Sequence, residues 1–489
     1  MKSNDISIYI IGAGLAGTMI AQEISKRRIF GNVVAFLDDD EAKIGTKIDG
    51  IHVLGPIDEA AHLIRIAQDD EALIAIPSIN SERLRQIYLT LKNVGFSKIK
   101  LLPALSQIID DSAHLVQARE IDPQDLLTRT PITIPLKSSL SYLKGKRVLI
   151  TGAGGSIGSE ISRQLLSGGA SRLYLFGHGE NSIYQIHQEL KHLQEGGVGE
   201  NAIIVPVIGE LKDRYYMQYI IEKLKCDVVF HVAAYKHVPM MEDNPVAAIE
   251  NNVFGTQNLL DSCLSCNVKR FVLISTDKAV SPISVYGFSK LLNEKMVLSY
   301  AKKASNSSSY MFVRFGNVLG SRGSIFPLFV SQIKKGGPVT ITDMKMTRYF
   351  MTIPEACSLV LQTGGVGNNG QSYLLDMGES VNIYETAKQL ITYMGYVPEK
   401  DIPIQIIGKR AGERLEEFLY SKDEEVAPTS YLKILNLKTK EGVKDFPIDE
   451  VLETLKPYCI YDEAQKELYR NREKMVSYIK ENFLKNYED

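Results

Sequence analysis

The residues best placed to do chemistry in this chain are Ser275-Thr276-Asp277-Lys278 and, starting eight residues after Lys278, Tyr286-Gly287-Phe288-Ser289-Lys290. Residues four apart stack on the same side of a helix. Lys290 can therefore lower the pKa of Tyr286, whose phenolate can then take a proton from an alcohol. Nicotinamide chemistry on a hydroxyl requires such a pair. Alone, the spacing also fits an exposed tyrosine beside a surface lysine, and the preceding residues decide between the two. The apolar run Arg270-Phe271-Val272-Leu273-Ile274-Ser275 reads as a buried parallel strand, and open α/β sheets carry their chemistry beyond strand carboxyl ends. Asp277 and Lys278 fall at that address rather than in an ordinary loop.

A second pattern stands upstream. Val148-Leu149-Ile150-Thr151 reads as a strand, Gly152, Gly155 and Gly158 follow at G-x-x-G-x-x-G spacing, and Ser159–Leu166 reads as a helix. Glycines there permit a tight turn and close backbone approach to a pyrophosphate seated on the helix N-terminus. The apolar flanks argue against a merely flexible loop. Strand, loop, helix and the downstream Tyr286/Lys290 pair together imply a dinucleotide.

These residues resemble the extended short-chain dehydrogenase/reductase superfamily. Within it, Thr276-Asp277-Lys278-Ala279 resembles the nucleotide-sugar 4,6-dehydratases that act on UDP-N-acetylglucosamine in polysaccharide and glycan biosynthesis. Phe230–Pro239, Asn251–Thr256, Arg314–Ser321, Met346–Phe350 and Arg410–Arg414 extend the match in order, from about residue 121 to about 425.

The resemblance implies a redox-neutral cycle. Hydride leaves C4 of the sugar, water is eliminated across C5–C6, and the hydride returns to C6. By resemblance the catalytic set is Thr276, Asp277, Lys278, Tyr286 and Lys290. Tyr286 is the base for O4–H, Lys278 takes the C5 proton, and Asp277 donates to the departing C6 hydroxyl. Lys278 must then be neutral and Asp277 protonated, so a desolvated pocket is expected to shift both in those directions. A UDP-sugar C4 or C5 epimerase is the alternative activity; it keeps Tyr286 and Lys290 but has no use for a C6-directed acid. Tyr at position 286 resembles enzymes that invert C5, whereas the long architecture resembles those that retain it, so both outcomes stay open.

Cofactor contacts are expected at Gly152, Gly155, Ser156, Ile157, Gly158, His178, Glu180, Asn181, Glu210, Leu211, Ala233, Ala234, Lys236, Asn252, Tyr286 and Lys290. The strand Leu173–Phe176 is followed by Gly177-His178 rather than by the aspartate usual in NAD enzymes. His178 could meet a 2′-phosphate, which favours a tightly bound NADP, while Glu180 keeps NAD open. Substrate contacts are expected at Lys236, Asn317, Arg348, Arg410 and Glu413. The two arginines suit a diphosphate, since guanidinium matches phosphate bidentately, and Glu413 suits ribose hydroxyls.

The chain has 489 residues, 44% hydrophobic and 23% charged, with a formal net charge of −2. That size implies two domains, and that charge offers no general pull toward nucleic acid or anionic membrane. No apolar run reaches the roughly 18 residues of a membrane span, and the start carries no signal-peptide pattern. A cytoplasmic protein is expected, unlike the long relatives that carry transmembrane helices. The five cysteines suggest a reducing compartment. Cys263 and Cys266 lack the further ligands of a zinc site and read as one face of a helix, Leu259–Asn267; no metal is expected.

Both domains are expected to be α/β and Rossmann-like, doubly wound. The first covers residues 1–120, a linker covers 121–145, and residues 146–489 form an extended dehydrogenase fold with a small C-terminal substrate lobe. In the first domain a strand at Ile6–Ile11 leads to Gly12, Gly14 and Gly17, and Asp38 ends a second strand 21 residues after Gly17. That is a nucleotide-site fingerprint, although Asp38-Asp39-Asp40 also fits an acidic loop. No Tyr-x-x-x-Lys accompanies it, so a sensing, regulatory or assembly role is expected, with homo-oligomers formed through the first domain. Asp462–Tyr487 reads as an amphipathic terminal helix.

Overall fold

The computed structural model describes residues 6–27, 31–77, 79–102, 119–120, 140–199 and 201–484. The chain divides into two compact units. One comprises Met1–Lys137 with the short segments Lys191–Glu200 and Gln389–Val397; the other comprises Ser138–Leu190, Asn201–Lys388 and Pro398–Asp489. Both are α/β.

The first unit is built on strands β1 (Ser7–Ile11), β2 (Asn32–Leu37), β3 (Lys47–Ile48), β4 (Ile51–Leu54), β5 (Glu71–Ile74), β6 (Lys98–Leu101) and β7 (Arg119–Glu120). They form one sheet in the order β3-β4-β2-β1-β5-β6-β7. β1 runs parallel to both β2 and β5. The centre is apolar on both faces, with Ile10, Ile11, Phe36, Leu37 and Ile74 at 0% exposure, as parallel sheets covered by helices require.

In the second unit, β8 (Arg147–Thr151), β9 (Arg172–Gly177), β10 (Ile203–Ile208), β11 (Val228–His231), β12 (Arg270–Thr276) and β13 (Ser309–Phe315) lie in the order β10-β9-β8-β11-β12-β13. This is the doubly wound order whose chain reversal, between β8 and β11, opens a ligand crevice at the strand carboxyl ends. Ser372–Leu375 continues the sheet parallel to β13, and the antiparallel pair Ile434–Thr439 and Glu424–Pro428 closes that side. Three two-stranded pieces stand apart: Asn317–Leu319 with Phe350–Thr352, Val339–Ile341 with Ile404–Ile406, and Thr347–Arg348 with Val381–Asn382.

Buried Arg314 on β13 ties these layers together. Its guanidinium bonds both oxygens of Glu294 (2.7 and 3.0 Å) and both of Glu424 (2.8 and 2.9 Å). Glu294 also accepts from Ser275 Oγ at 2.6 Å, directly beneath the end of β12. A buried cation between two carboxylates is satisfied only in this arrangement, so the network fixes where β12 ends.

Three boundaries differ from the expectations above. Residues 121–139 of the expected linker lie outside the described residues, but 140–145 pack into the second unit, with Leu140 and Leu143 buried and Tyr142 donating to the Leu361 carbonyl at 2.8 Å. The terminal helix spans Arg472–Phe483 and is capped by Asn471, which accepts from Lys474 N at 3.1 Å; Asp462 caps only a short turn at Glu463–Gln465, and Tyr487 lies outside the described residues. Cys263 is fully buried on the helix Gly255–Ser265, whereas Cys266 caps its end and is partly exposed. No helix among the described residues is long and apolar enough to cross a membrane.

Candidate active site

Thr276 stops β12 by capping the turn Asp277–Ala279. Its hydroxyl accepts from Lys278 N at 3.4 Å and donates to Asp277 Oδ1 at 2.8 Å. Asp277 is wholly buried, and its Oδ2 has no hydrogen-bond partner. The Lys278 ammonium lies 3.0 Å from Asp277 Oδ1, 3.1 Å from Asn317 Oδ1 and 3.7 Å from Glu417 Oε1.

The helix Val285–Lys303 packs directly on this turn. A Cβ on Gly287 would collide with the Lys278 carbonyl oxygen, which explains a glycine one residue after Tyr286. Ser284 caps the helix by accepting from Gly287 N at 3.0 Å, and Glu242 accepts from Val285 N at 2.7 Å. Tyr286 and Lys290 are both buried in this helix. Burial pushes the Tyr286 hydroxyl up to about 12, against the pull of Lys278. Lys290 donates to the Ile274 carbonyl at 2.7 Å, and burial brings its ammonium down to about 8.

Two electrostatic expectations are corrected here. The cation that pulls on the Tyr286 hydroxyl is Lys278, while Lys290 is committed to the backbone of β12. Lys278 is held above its usual range, not below it. Burial works to lower it, but Asp277 and Glu417 outweigh that effect.

The glycine loop forms a tight cradle. Gly152 has φ +67°, and a Cβ there would stand 2.8 Å from Ala233 Cα, so the ends of β8 and β11 touch. A Cβ on Gly158 would collide with the Gly152 carbonyl oxygen. Gly155 caps the helix Ser156–Ser167, and Ile157 is half-buried in its first turn. Thr151 Oγ1, 2.7 Å from buried His231 Nδ1, accepts from Val232 N (3.1 Å) and Ala233 N (3.3 Å). This clasp sets Ala233 and Ala234 beside the loop.

His178, Glu180 and Asn181 are exposed just past β9, and the His178 ring meets Tyr235 edge-on. Glu210 is exposed, 3.4 Å from Lys212, while Leu211 is buried. Asn252, expected at the cofactor, is fully buried and spends its amide internally. It bonds Tyr235 N and O at 2.8 and 3.0 Å and Ser289 Oγ at 3.1 Å, locking the segment after β11 to the Tyr286 helix.

The expected substrate contacts separate into two groups. Lys236 reaches Ser321 Oγ at 3.4 Å, and Asn317 faces Lys278. Arg410 is exposed, and Glu413 carries a buried, unpartnered Oε2. Arg348, expected at a diphosphate, is nine-tenths buried and turned inward instead. Its Nη atoms donate to the carbonyls of Thr347 (2.7 Å), Leu415 (3.0 Å) and Arg414 (2.7 Å).

Residues 148–439 match the model of the polysaccharide biosynthesis protein family, and residues 7–87 match the PglD N-terminal domain. The probable polysaccharide biosynthesis protein EpsC of Bacillus subtilis (strain 168) is 41% identical over 440 residues, covering 90% of this chain and 72% of that protein. The chain belongs to the polysaccharide biosynthesis protein family. Two further relatives bracket its chemistry. A UDP-N-acetylglucosamine 4,6-dehydratase (inverting) of Campylobacter jejuni subsp. jejuni serotype O:23/36 (strain 81-176) is 32% identical, covering 57% of this chain and 79% of that one. A UDP-glucose 4-epimerase of Rickettsia rickettsii (strain Sheila Smith) is 34% identical over the same shares, 57% and 79%.

Three residues of this family member escaped the sequence reading. Arg322, one residue beyond the Arg314–Ser321 motif, donates to the Gly154 carbonyl at 2.9 Å, and its own N–H bonds Ser156 Oγ at 3.0 Å, strapping the glycine loop. Glu417 stands three residues past Arg414 and is buried beside Lys278. Glu242 holds the start of the Tyr286 helix. The only available signal was proximity to a motif.

In the first unit, Gly12 has φ +104°, Gly14 is exposed, and a Cβ on Gly17 would collide with the Gly12 carbonyl oxygen. Asp38 accepts from Ala13 N at 2.6 Å and from Asp40 N at 2.9 Å. Its carboxylate ties the glycine loop to the end of β2.

Proposed function

We propose that the chain is a nucleotide-sugar 4,6-dehydratase that converts UDP-N-acetylglucosamine to a UDP-4-keto-6-deoxy-hexosamine for polysaccharide or glycan biosynthesis. The observation that carries this reading is the Asp277–Lys278 pair beside buried Tyr286, with Asp277 Oδ2 buried and unpartnered. A base and an acid side by side suit removal of H and OH from adjacent carbons. A UDP-sugar epimerase, the activity in the name of the Rickettsia relative, needs Tyr286 and Lys290 but gives Asp277 nothing to protonate.

The cradle fits a nicotinamide dinucleotide. The loop leaves no room for a side chain at Gly152 or Gly158, and the helix beginning at Ser156 aims its free N–H groups at whatever the loop holds. When bound, such a cofactor supplies a reversible acceptor for the C4 hydride. Tyr286, once its hydroxyl has given up its own proton beside the Lys278 cation, takes the O4 proton, Lys278 takes the C5 proton made acidic by the C4 ketone, and Asp277 donates to the departing C6 hydroxyl. Asn317, by accepting from Lys278, holds that amine in place. NADP is proposed over NAD because β9 ends on Gly177 and the next side chain is the exposed imidazole of His178, not a carboxylate. Arg410 and Glu413 remain the proposed contacts to the nucleotide half.

Five free cysteines, four of them buried, support a reducing compartment and hence the cytoplasm. Residues 1–120 are proposed as a nucleotide-binding domain with a regulatory or assembly role. Incubating the full chain with UDP-N-acetylglucosamine and following the product by mass and NMR tests the reading. Loss of one water without net consumption of nicotinamide is expected. A product of unchanged mass and altered stereochemistry would make the enzyme an epimerase.

A further inference from the structure

The resting charge state of Lys278 is at odds with its proposed task, and beside its neighbour Asp277 the group that holds it there is Glu417, 139 positions downstream. Glu417 buries its carboxylate with its side chain 5% exposed, placing Oε1 3.7 Å from Lys278 Nζ and 3.8 Å from Arg348 Nε. The groups facing it are Lys278 and Asp277 from the turn after β12, Arg348 from the strand Thr347–Arg348, and Arg414 from its own loop. Lys278 in turn faces Asp277, Glu417, Arg348 and the Tyr286 hydroxyl. Of these, only Asp277 and Glu417 are carboxylic acids.

We propose that Glu417 is a positioning residue that governs when Lys278 can act as a base, an inference that rests on reading Lys278 as the acceptor of the C5 proton. The active protonation state needs one transfer. An N–H bond of the Lys278 ammonium breaks, an O–H bond forms on Asp277 Oδ1 across 3.0 Å, and the pair becomes neutral amine and neutral acid. That single step readies the base and the acid together. The Glu417 carboxylate opposes it by stabilising the ammonium through space. A neutral Glu417 releases Lys278.

The surroundings of Glu417 favour its neutral form more than those of an exposed glutamate do. Burial raises its pKa, Asp277 adds to the rise, and Lys278, Arg348 and Arg414 pull back without cancelling it. Arg348 cannot swing closer to compensate, because three backbone carbonyls hold its guanidinium. Buried side chains whose protonation is set by several nearby charges are the usual means of tuning an acid–base pair.

The test reads Lys278 directly in the full chain, with no sugar present. Competitive acetylation as a function of pH, quantified on the peptide containing Lys278, gives its titration midpoint in wild type, Glu417→Gln, Glu417→Asp and the exposed control Glu416→Gln. Removing one opposite charge at this distance should lower the midpoint by about one to three pH units in Glu417→Gln. Glu416→Gln should match wild type, and Glu417→Asp should fall between. An unchanged midpoint in folded Glu417→Gln overturns the proposal. Should Glu417→Gln fail to fold, a midpoint for Glu417→Asp equal to wild type overturns it equally. A downward shift supports it whatever sugar the enzyme accepts, so failure of the dehydratase reading would show separately, as absence of water loss from UDP-N-acetylglucosamine.

Discussion

The glycine loop after β1 and the glycine loop after β8 occupy the same place in sheets of the same strand order, β4-β2-β1-β5-β6 and β10-β9-β8-β11-β12. Both begin on a glycine of positive φ, Gly12 at +104° and Gly152 at +67°, and in both a later glycine packs on the first one's carbonyl oxygen. The side chains at the neighbouring strand ends differ. In the first unit Asp38 follows β2 and spends its carboxylate on Ala13 N and Asp40 N, and β5 leads into Ala75-Ile76-Pro77, which carries no ionisable group. In the second unit Gly177 and exposed His178 stand where Asp38 does, β11, the counterpart of β5, leads into Val232-Ala233-Ala234, and β12 delivers Asp277 and Lys278; the counterpart of β12 is β6, and the residues just after Leu102 lie outside the described ones. A cradle for a nucleotide is thus a property of the backbone turn. Chemistry is added by what β12 delivers beside it.

The largest effects should come from removing what β12 and the helix after it deliver. Lys278→Ala should cut dehydration by about 10²–10⁴-fold, the usual worth of a positioned acid or base, while still allowing added NADP to be reduced transiently by UDP-N-acetylglucosamine. Tyr286→Phe should suppress that reduction as well, because O4–H loses its base. Stopped-flow absorbance of the nicotinamide separates the two steps. Dehydration by Lys278→Ala near the wild-type rate would remove Lys278 from the mechanism.

The part of this site legible in the sequence is the part made of local patterns. Apolar runs located β8, β9 and β12, glycine spacing located the cradle, and the i,i+4 rule located Tyr286 and Lys290. Arg322 was invisible because its partner Gly154 lies 168 residues away. The sign of the Lys278 shift was missed for the same reason, since burial alone predicts a decrease and the second opposing carboxylate comes from Glu417. Arg348 reads from its motif as a ligand contact, and its donation to the backbone carbonyls of Thr347, Arg414 and Leu415 was invisible because two of those partners lie 66 and 67 residues away. The terminal helix began late because the stretch offers two caps, Asp462 and Asn471, and only the second precedes enough buried apolar residues, Met475 and Ile479, to continue as a helix.

A smaller effect follows from the burial of Lys290, which has no counterpart among the described residues of the first unit. Its ammonium titrates at about 8 in the fold against 10.5 for an ordinary lysine. Between those values the unfolded chain binds the proton and the folded chain does not, so stability rises with pH across that window. Below about pH 8 both states are charged and the cost of burying the charge is fully present. That cost is on the order of 3 kcal/mol at 1.36 kcal/mol per unit. Lys290→Met should therefore melt higher than wild type near pH 7, with the gap closing toward pH 10. Calorimetric melting of both proteins across this range checks it; a gap independent of pH would mean that Lys290 is neutral throughout or that the gain is only packing.

The smallest expected effect tests the other side of the comparison. Asp38→Asn leaves one acceptor oxygen for two backbone donors and turns an amide N–H₂ toward the second. The Asp38 bonds to Ala13 N and Asp40 N make that substitution cost about 1–3 kcal/mol, the penalty for a donor left unpaired, and the cost should appear in the melting of the first unit. Water elimination by the second unit should be unchanged, and a chain beginning at Ser138 should retain it. Titration calorimetry of residues 1–120 with NAD(H), NADP(H), coenzyme A and UDP-sugars then asks what the Asp38 carboxylate is for. Binding that weakens in Asp38→Asn would show that the carboxylate also serves a ligand. Binding to none of them would leave Asp38 a purely structural clasp on a glycine turn. A well-folded chain from Ser138 that eliminates no water would break the comparison itself, because water elimination would then require the first unit as well.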